Sequence, residues 1–357
     1  MAAANLLAPC VRGFQPRSGF GSILSRDDRR ALELTPTHQP VMLREILEIL
    51  PLRPGAVVVD GTLGLGGHSA AFLERIAPDG VLFGFEWDQS MLEIARARLA
   101  GPVEIRLIHD DFRNMTQYLD RQADAILLDL GLNSAQVDDP ERGISFREEG
   151  PLDMRMDRGR GEPAGALLNR WSLKEIEQVL WDYGDERWAR NIARKIVERR
   201  KTQALRTTKD LVDAILAAIP AAARDKRIHP ATRSFQAIRI VVNGELEGLL
   251  EALRRSASCL AVGGVLSVLS YHSGEDRIVK TAFRDLAREG NFEEATRKPL
   301  TPGQEEIARN PRSRSAKLRA IRRGVGIAAP RKGKGASERF ERRPKDGPLP
   351  EENRNSG

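Results

Sequence analysis

The sequence predicts an α/β chain: a doubly wound, Rossmann-like parallel sheet interrupted by an all-helical insertion. Two observations lead there. Short, nearly continuous apolar runs, AVVVD (56–60), VLFGFE (81–86), VEIRLI (103–108) and DAILLDL (124–130), alternate with segments of helical periodicity. That is the pattern of parallel strands covered on both faces. Strand signals then stop for more than 100 residues and resume at GVLSVLS (264–270).

The organised region opens near His38. Met42, Ile46 and Leu50 at helical spacing predict a helix over 41–50, which Pro51 and Pro54 end. Helices are expected over 68–77, over 89–99 with Leu92, Ala95 and Leu99 on one face, and over 111–120. From Gln136 to Asn169 the Gly, Pro, Asp and Arg content reads as loop. Ser172 with Glu175 forms a capping box, opening a helix that Gly184 ends. A second helix spans 185–200, a third follows Thr208 to Pro220, and one long helix runs from after Pro230 to about Arg255. A helix over 275–289 and short strands near 291–298 and 316–322 complete the sheet. The expected organisation is a disordered N-terminal extension (1–35), a discontinuous sheet domain (36–136 and 236–323), a helical insertion for substrate recognition (137–235) and a disordered basic tail (324–357).

With 357 residues, 41% hydrophobic and 30% charged, the chain is long and apolar enough for a folded core, which excludes a mainly disordered protein. The net charge of +7 is unevenly placed: between Arg309 and Lys345 stand 14 Lys/Arg against two acids, so the remainder is mildly acidic. Such a block is either a phosphate-binding footprint or a solvated tail. Cys10 and Cys259 alone exclude a disulfide framework and a cysteine zinc site, and fit a reducing compartment. No His/Asp/Glu cluster has metal-ligand spacing, so no metal is expected.

Ser256 to Gly274 is free of charge for 19 residues, but its glycines, serines and His272 suit a buried strand better than a membrane span. Up to Ser25 the chain has Arg12 and Arg17 and no acid, and it lacks the apolar core of a secretory signal. A cytoplasmic location is expected, with an organelle the alternative if residues 1–35 are a transit peptide.

The strongest chemical signal is Asp60-Gly61-Thr62-Leu63-Gly64-Leu65-Gly66-Gly67-His68. A strand ending in an acid and turning through glycines into a helix lets backbone approach a ligand closely. The spacing is not G-x-G-x-x-G, so the dinucleotide fingerprint fails and a nucleoside without pyrophosphate fits better. Glu86 ends the second strand, where an acid accepts from ribose hydroxyls; capping the next helix is the plainer role. Asp110-Asp111-Phe112 follows the third strand, where an adenine is stacked, or where an N-cap and a core Phe simply stand. Three such features at successive strand ends favour S-adenosylmethionine (SAM) over NAD. After the fourth strand, Asp129 and Asn133 are placed to accept hydrogen bonds from an exocyclic amine and direct its lone pair at a methyl donor. A loop leading into the insertion is the alternative.

At this point Asp60–Ser69, Asp129–Asp138, Arg142–Phe146, Pro151-Leu152-Asp153-Met154-Arg155-Met156-Asp157, His229-Pro230-Ala231-Thr232-Arg233, Asn243, Ser270–Lys280 and Asn310–Arg319 together resemble the RsmH (MraW) family over about residues 37–322. The resemblance implies a SAM-dependent methyltransferase acting on N4 of a cytidine in the decoding centre of 16S ribosomal RNA, within the small subunit. It implies that Gly66, Gly67, His68, Glu86, Phe112, Asp129 and Gln136 line the SAM site. In that context Arg155, Arg233 and Arg239 are candidates for RNA phosphates or a splayed base. Pairing of Arg155 with Asp153 or Asp157, and of Arg239 with Glu245, is the alternative. His272 and Ser273 are candidates to face the acceptor base. A homodimer is possible. The chain departs from the family pattern at Glu86 (usually Asp), Asn133 (usually Ser), Tyr271 (usually Phe) and Gly274 (usually Leu). The rival functions are a small-molecule methyltransferase and a SAM-binding ribosome-assembly factor without catalysis.

Overall fold

The computed structural model describes residues 40–324 apart from Lys226. The extension over 1–35 and the tail beyond Gly324 lie outside the described residues. Helix α1 (Leu43–Ile49) precedes a sheet that begins with β1 (Val57–Asp60), α2 (Gly67–Ile76), β2 (Val81–Phe85), α3 (Gln89–Arg98), β3 (Glu104–Ile108) and β4 (Ala123–Asp129). A stretch of short helices follows: α4 (Ser134–Asp138), α5 (Ala164–Arg170), α6 (Leu173–Gly184), α7 (Ala189–Arg199), α8 (Thr208–Ala218), α9 (Thr232–Val242) and α10 (Leu249–Ser258). The sheet then closes with β5 (Leu260–Ser270), α11 (Ser273–Arg288), β6 (Phe292–Glu294), α12 (Gln304–Arg309) and β7 (Lys317–Arg323).

The strands form one seven-stranded sheet in the order β3-β2-β1-β4-β5-β7-β6. β1 to β5 are parallel neighbours, while β7 runs antiparallel between β5 and β6. Because side chains alternate along a strand, Val58, Leu82, Ala125 and Leu127 face one layer with α1, α2 and α3. Val59, Phe83, Ile126 and Leu128 face the other, with α10 and α11. The order reverses between β1 and β4, so the carboxyl ends of these strands splay helices to opposite faces and leave a crevice. Most of the uncharged stretch after Ser256 is β5, buried from Gly264 onward. Among the described residues, no helix is long and apolar enough to cross a membrane.

A third apolar core lies apart from the sheet. It is built from Leu152 and Met154, α5 to α8, and Phe235, Ala237 and Ile238 of α9. The division expected at 235/236 therefore cuts through α9, whose apolar face packs on the helical side. The single long helix expected from 230 to 255 is two. Asn243 Nδ2 donates to Arg239 O at 2.9 Å and to Met154 O at 2.8 Å, and Gly244 and Gly248 turn the chain at positive φ. A helix cannot continue through such a cap and left-handed pair. Two smaller corrections apply. The 111–120 helix is a 3₁₀ turn over Phe112–Gln117, and the 136–169 loop contains α4 and α5.

Candidate active site

The carboxyl ends of β1 to β4 surround a cavity of about 480 Å³. The glycine turn after β1 shapes one wall. A Cβ on Gly61 would stand 2.3 Å from Leu128 Cδ2, one on Gly67 2.9 Å from Pro40 Cγ, and Gly64 has φ +52. A Cβ at these positions would force neighbouring side chains to shift or the backbone to strain, and with glycine there the backbone itself forms the wall. Asp60, 1% exposed, anchors the turn by accepting from Ser69 Oγ at 2.7 Å and Thr62 N–H at 3.2 Å. Gly66 begins α2 at φ +78 but does not itself line the cavity.

Glu86 stands just beyond β2. Its carboxylate accepts from Gly64 N–H at 2.8 Å and from Asp88 N–H at 2.9 Å, tying the glycine turn to the β2 end. Burial pushes its pKa up to about 7, with Asp88 adding like-charge repulsion. Asp88, not Glu86, caps α3, so the plainer role for Glu86 falls to its neighbour. Asp88 also meets Arg142 at 2.7 Å and Gln136 Nε2 at 3.3 Å. This buried knot fastens the loop after β4 to the loop after β2. Phe112 lines the cavity, with the Arg113 guanidinium 5.7 Å from its ring. Asp110 and Asp111 hold the 3₁₀ turn: Asp110 accepts from Asn114 and Tyr118, and Asp111 from Arg113.

Asp129 ends β4. Its backbone N–H donates to Thr62 Oγ1 at 2.6 Å, and its Oδ1 accepts from the Tyr271 hydroxyl at 2.7 Å. Oδ2 lies 3.9 Å from His68 Nδ1 and is the oxygen left for another donor. Burial raises its pKa to about 7; the Tyr271 hydrogen bond pulls the other way, and Glu275 pushes it further up. His68 is held by its Nε2, 3.0 Å from Val41 O, and burial lowers its pKa, so a neutral ring faces Asp129. Asn133 lines the cavity, but its Oδ1 caps α4 by accepting from Ala135 N–H at 2.9 Å. Gln136 completes that capping box with its Oε1.

The RNA candidates fall in different places. Arg239 borders the cavity while its fork grips Glu245 at 2.7 and 2.8 Å. Arg155 grips Asp153 at 2.7 and 2.9 Å, and neither it nor Arg233 lines the cavity. His272 caps α11 and Ser273 reaches Asp185 at 3.4 Å; neither side chain lines the cavity. The ligand atoms of Glu245, His272 and Glu275 lie within 4.8 Å of one another. Arg239 pairs with Glu245, and the backbone N–H groups of Tyr271 and His272 donate to Glu275, whose Oε1 lies 3.2 Å from His272 Nε2. The basic segment from Arg309 is partly structural: Arg319 and Lys317 pair with Asp276 at 2.6 and 3.2 Å. Arg312, paired with Asp138, does line the cavity, as does Arg147.

Sequence reasoning missed Tyr271 as a partner of Asp129, and missed the Asp88–Arg142–Gln136 knot. Tyr271 was visible only as a departure from a Phe; the knot joins residues 48 or more apart and leaves no local signal.

A profile of the MraW methylase family matches residues 35–324. The chain belongs to that family. Ribosomal RNA small subunit methyltransferase H of Heliobacterium mobile is 45% identical to this family member over 307 residues, covering 80% of this chain and 98% of the relative. The enzyme of the same name from Geotalea uraniireducens is 44% identical, covering 79% and 97%. A solved structure, a putative rRNA-methylase from Clostridium thermocellum, aligns at 13% identity with a TM-score of 0.39, over 78% of this chain and 92% of that one. In this MraW-family chain the glycine turn, Glu86, Phe112 and Asp129 line one cavity.

Proposed function

We propose that this MraW-family chain is a SAM-dependent methyltransferase of small-subunit ribosomal RNA, acting on the N4 amine of a cytidine near the decoding centre. The observation that carries this reading is the cavity on which Gly61, Gly64, Gly67, Glu86, Phe112 and Asp129 converge. The names and near-full coverage of the relatives support the RNA substrate. We assign recognition of the surrounding RNA to the helical part, from α5 to α9, with Arg147, Arg239 and Arg312 at the cavity.

The residues present fit SAM. The backbone of the glycine turn lines the cavity and admits an adenosyl group against it, Glu86 accepts from ribose hydroxyls, and Phe112 offers a ring face to the adenine. When bound, SAM supplies an electrophilic methyl on a sulfonium. Asp129 then accepts a hydrogen bond from the cytidine amine through Oδ2, which orients the nitrogen lone pair away from itself and toward the methyl. Tyr271 holds Oδ1, so the carboxylate cannot rotate away. The cytidine must leave its stack to reach this depth, and the α5–α9 side is placed to receive the flanking nucleotides.

The test is transfer of a radiolabelled methyl from SAM to small-subunit RNA, with large-subunit RNA as the control, followed across pH. Transfer is expected to small-subunit RNA alone. The active form is ionised Asp129, whose pKa is about 7, so the rate should rise through neutrality. Tyr271→Phe removes a bond that stabilises the ionised form, so its rise should shift to higher pH. An identical profile for both proteins would remove Tyr271 from the account.

A further inference from the structure

We infer that the cleft between α6 and α7 is a second RNA-binding surface, where Trp181 stacks a base of the strand flanking the methylated nucleotide. This rests on the RNA-methylation reading above and extends it to a surface outside the cavity. Trp181 is 62% exposed, the most exposed of the large hydrophobic side chains. An exposed indole offers a flat apolar face on which a base can stack. It shares its cleft with Lys174, Arg187 and Arg190, all exposed, and with Glu177. None of these three cations forms an ion pair among the described residues. The nearby Asp182 accepts from Gln178 at 2.5 Å. An open indole face ringed by unpaired cations is what single-stranded nucleic acid requires: stacking for a base, charge for its phosphates.

The cleft also connects to the active site. Asp185 follows directly on the end of the Trp181 helix, α6, as its left-handed cap. Arg233 Nη1 donates to Asp185 O at 3.4 Å, and Ser273 Oγ donates to Asp185 Oδ2 at 3.4 Å. Ser273 lies between Tyr271 and Glu275, both of which line the cavity. Asp185 thus joins the end of the Trp181 helix to α9 and to the start of α11, the helix whose Glu275 lines the cavity.

The test uses the full chain and labelled single-stranded oligouridine of about twelve nucleotides, since stacking tolerates any base. Trp181→Ala is expected to weaken binding about tenfold, and Trp181→Phe to restore most of it. In the double variant R187Q/R190Q, the slope of log affinity against log salt should flatten by about 1.4, for two phosphates lost. SAM titration and thermal unfolding should match wild type for all variants. Wild-type RNA binding by Trp181→Ala overturns the proposal. So does a change of oligomeric state in that variant without loss of RNA binding, which would make the cleft a protein interface. If wild type transfers no label to ribosomal RNA, the underlying reading fails; if it does and the variants bind normally, only this inference fails.

Discussion

Asp129→Asn is expected to lower kcat for methyl transfer by about 10²- to 10⁴-fold, the range for a lost acid–base group, while SAM affinity changes little. The substitution keeps shape and volume, so the β4 end, fixed through Thr62, stays in place. What changes is hydrogen-bond polarity. A carboxylate accepts on both oxygens, from Tyr271 on one side and from the cytidine amine on the other. An amide offers one acceptor and one NH₂, so either Tyr271 or the amine faces a donor. Steady-state kinetics with RNA saturating will check this. A kcat within twofold of wild type would show that Asp129 does not orient the amine.

The second large effect concerns the cradle. Gly64→Ala is expected to raise the Kd for SAM at least tenfold by calorimetric titration. Gly64 has φ +52, where a Cβ adds strain of about 1–2 kcal/mol. That Cβ would also stand 2.9 Å from Asn133 Nδ2, and the Gly64 N–H is one of the two that hold Glu86. Relief of the strain therefore moves both the turn and the ribose acceptor. Gly55→Ala is the control: its φ is +78, and nothing lies within 4 Å of the added Cβ. It should cost comparable stability and leave SAM affinity unchanged. Equal effects from both substitutions would mean that only global stability, not the cradle, is at stake.

How much of this was legible beforehand follows from the range of the interactions. Strands β1 to β5 announce themselves because parallel strands buried on both faces read as apolar runs, and Asp60–His68 because its glycines are contiguous. The same local logic located Glu86, Phe112 and Asp129 at strand ends, and all three meet at one cavity. The break between α9 and α10 was hidden because Asn243 acts through Met154 and Met156, almost 90 residues away. Tyr271 and Asp129 are 142 residues apart, and no spacing rule joins them. For the arginines the sequence leaves both readings open, and Arg155, Arg239 and Arg319 all have carboxylate partners, so charge counted in the sequence does not by itself say which guanidinium is unpaired.

The central claim is that Asp129 directs methyl transfer to the N4 amine of a cytidine in small-subunit RNA. The most direct measurement is to incubate the protein with labelled SAM and small subunits lacking the methyl group, digest the RNA to nucleosides, and identify the labelled one by mass spectrometry. The account predicts N4-methylcytidine with wild type and none above background with Asp129→Ala. Label on C5 of the cytosine, on a ribose oxygen or on another base would contradict it, as would undiminished N4-methylcytidine from the variant.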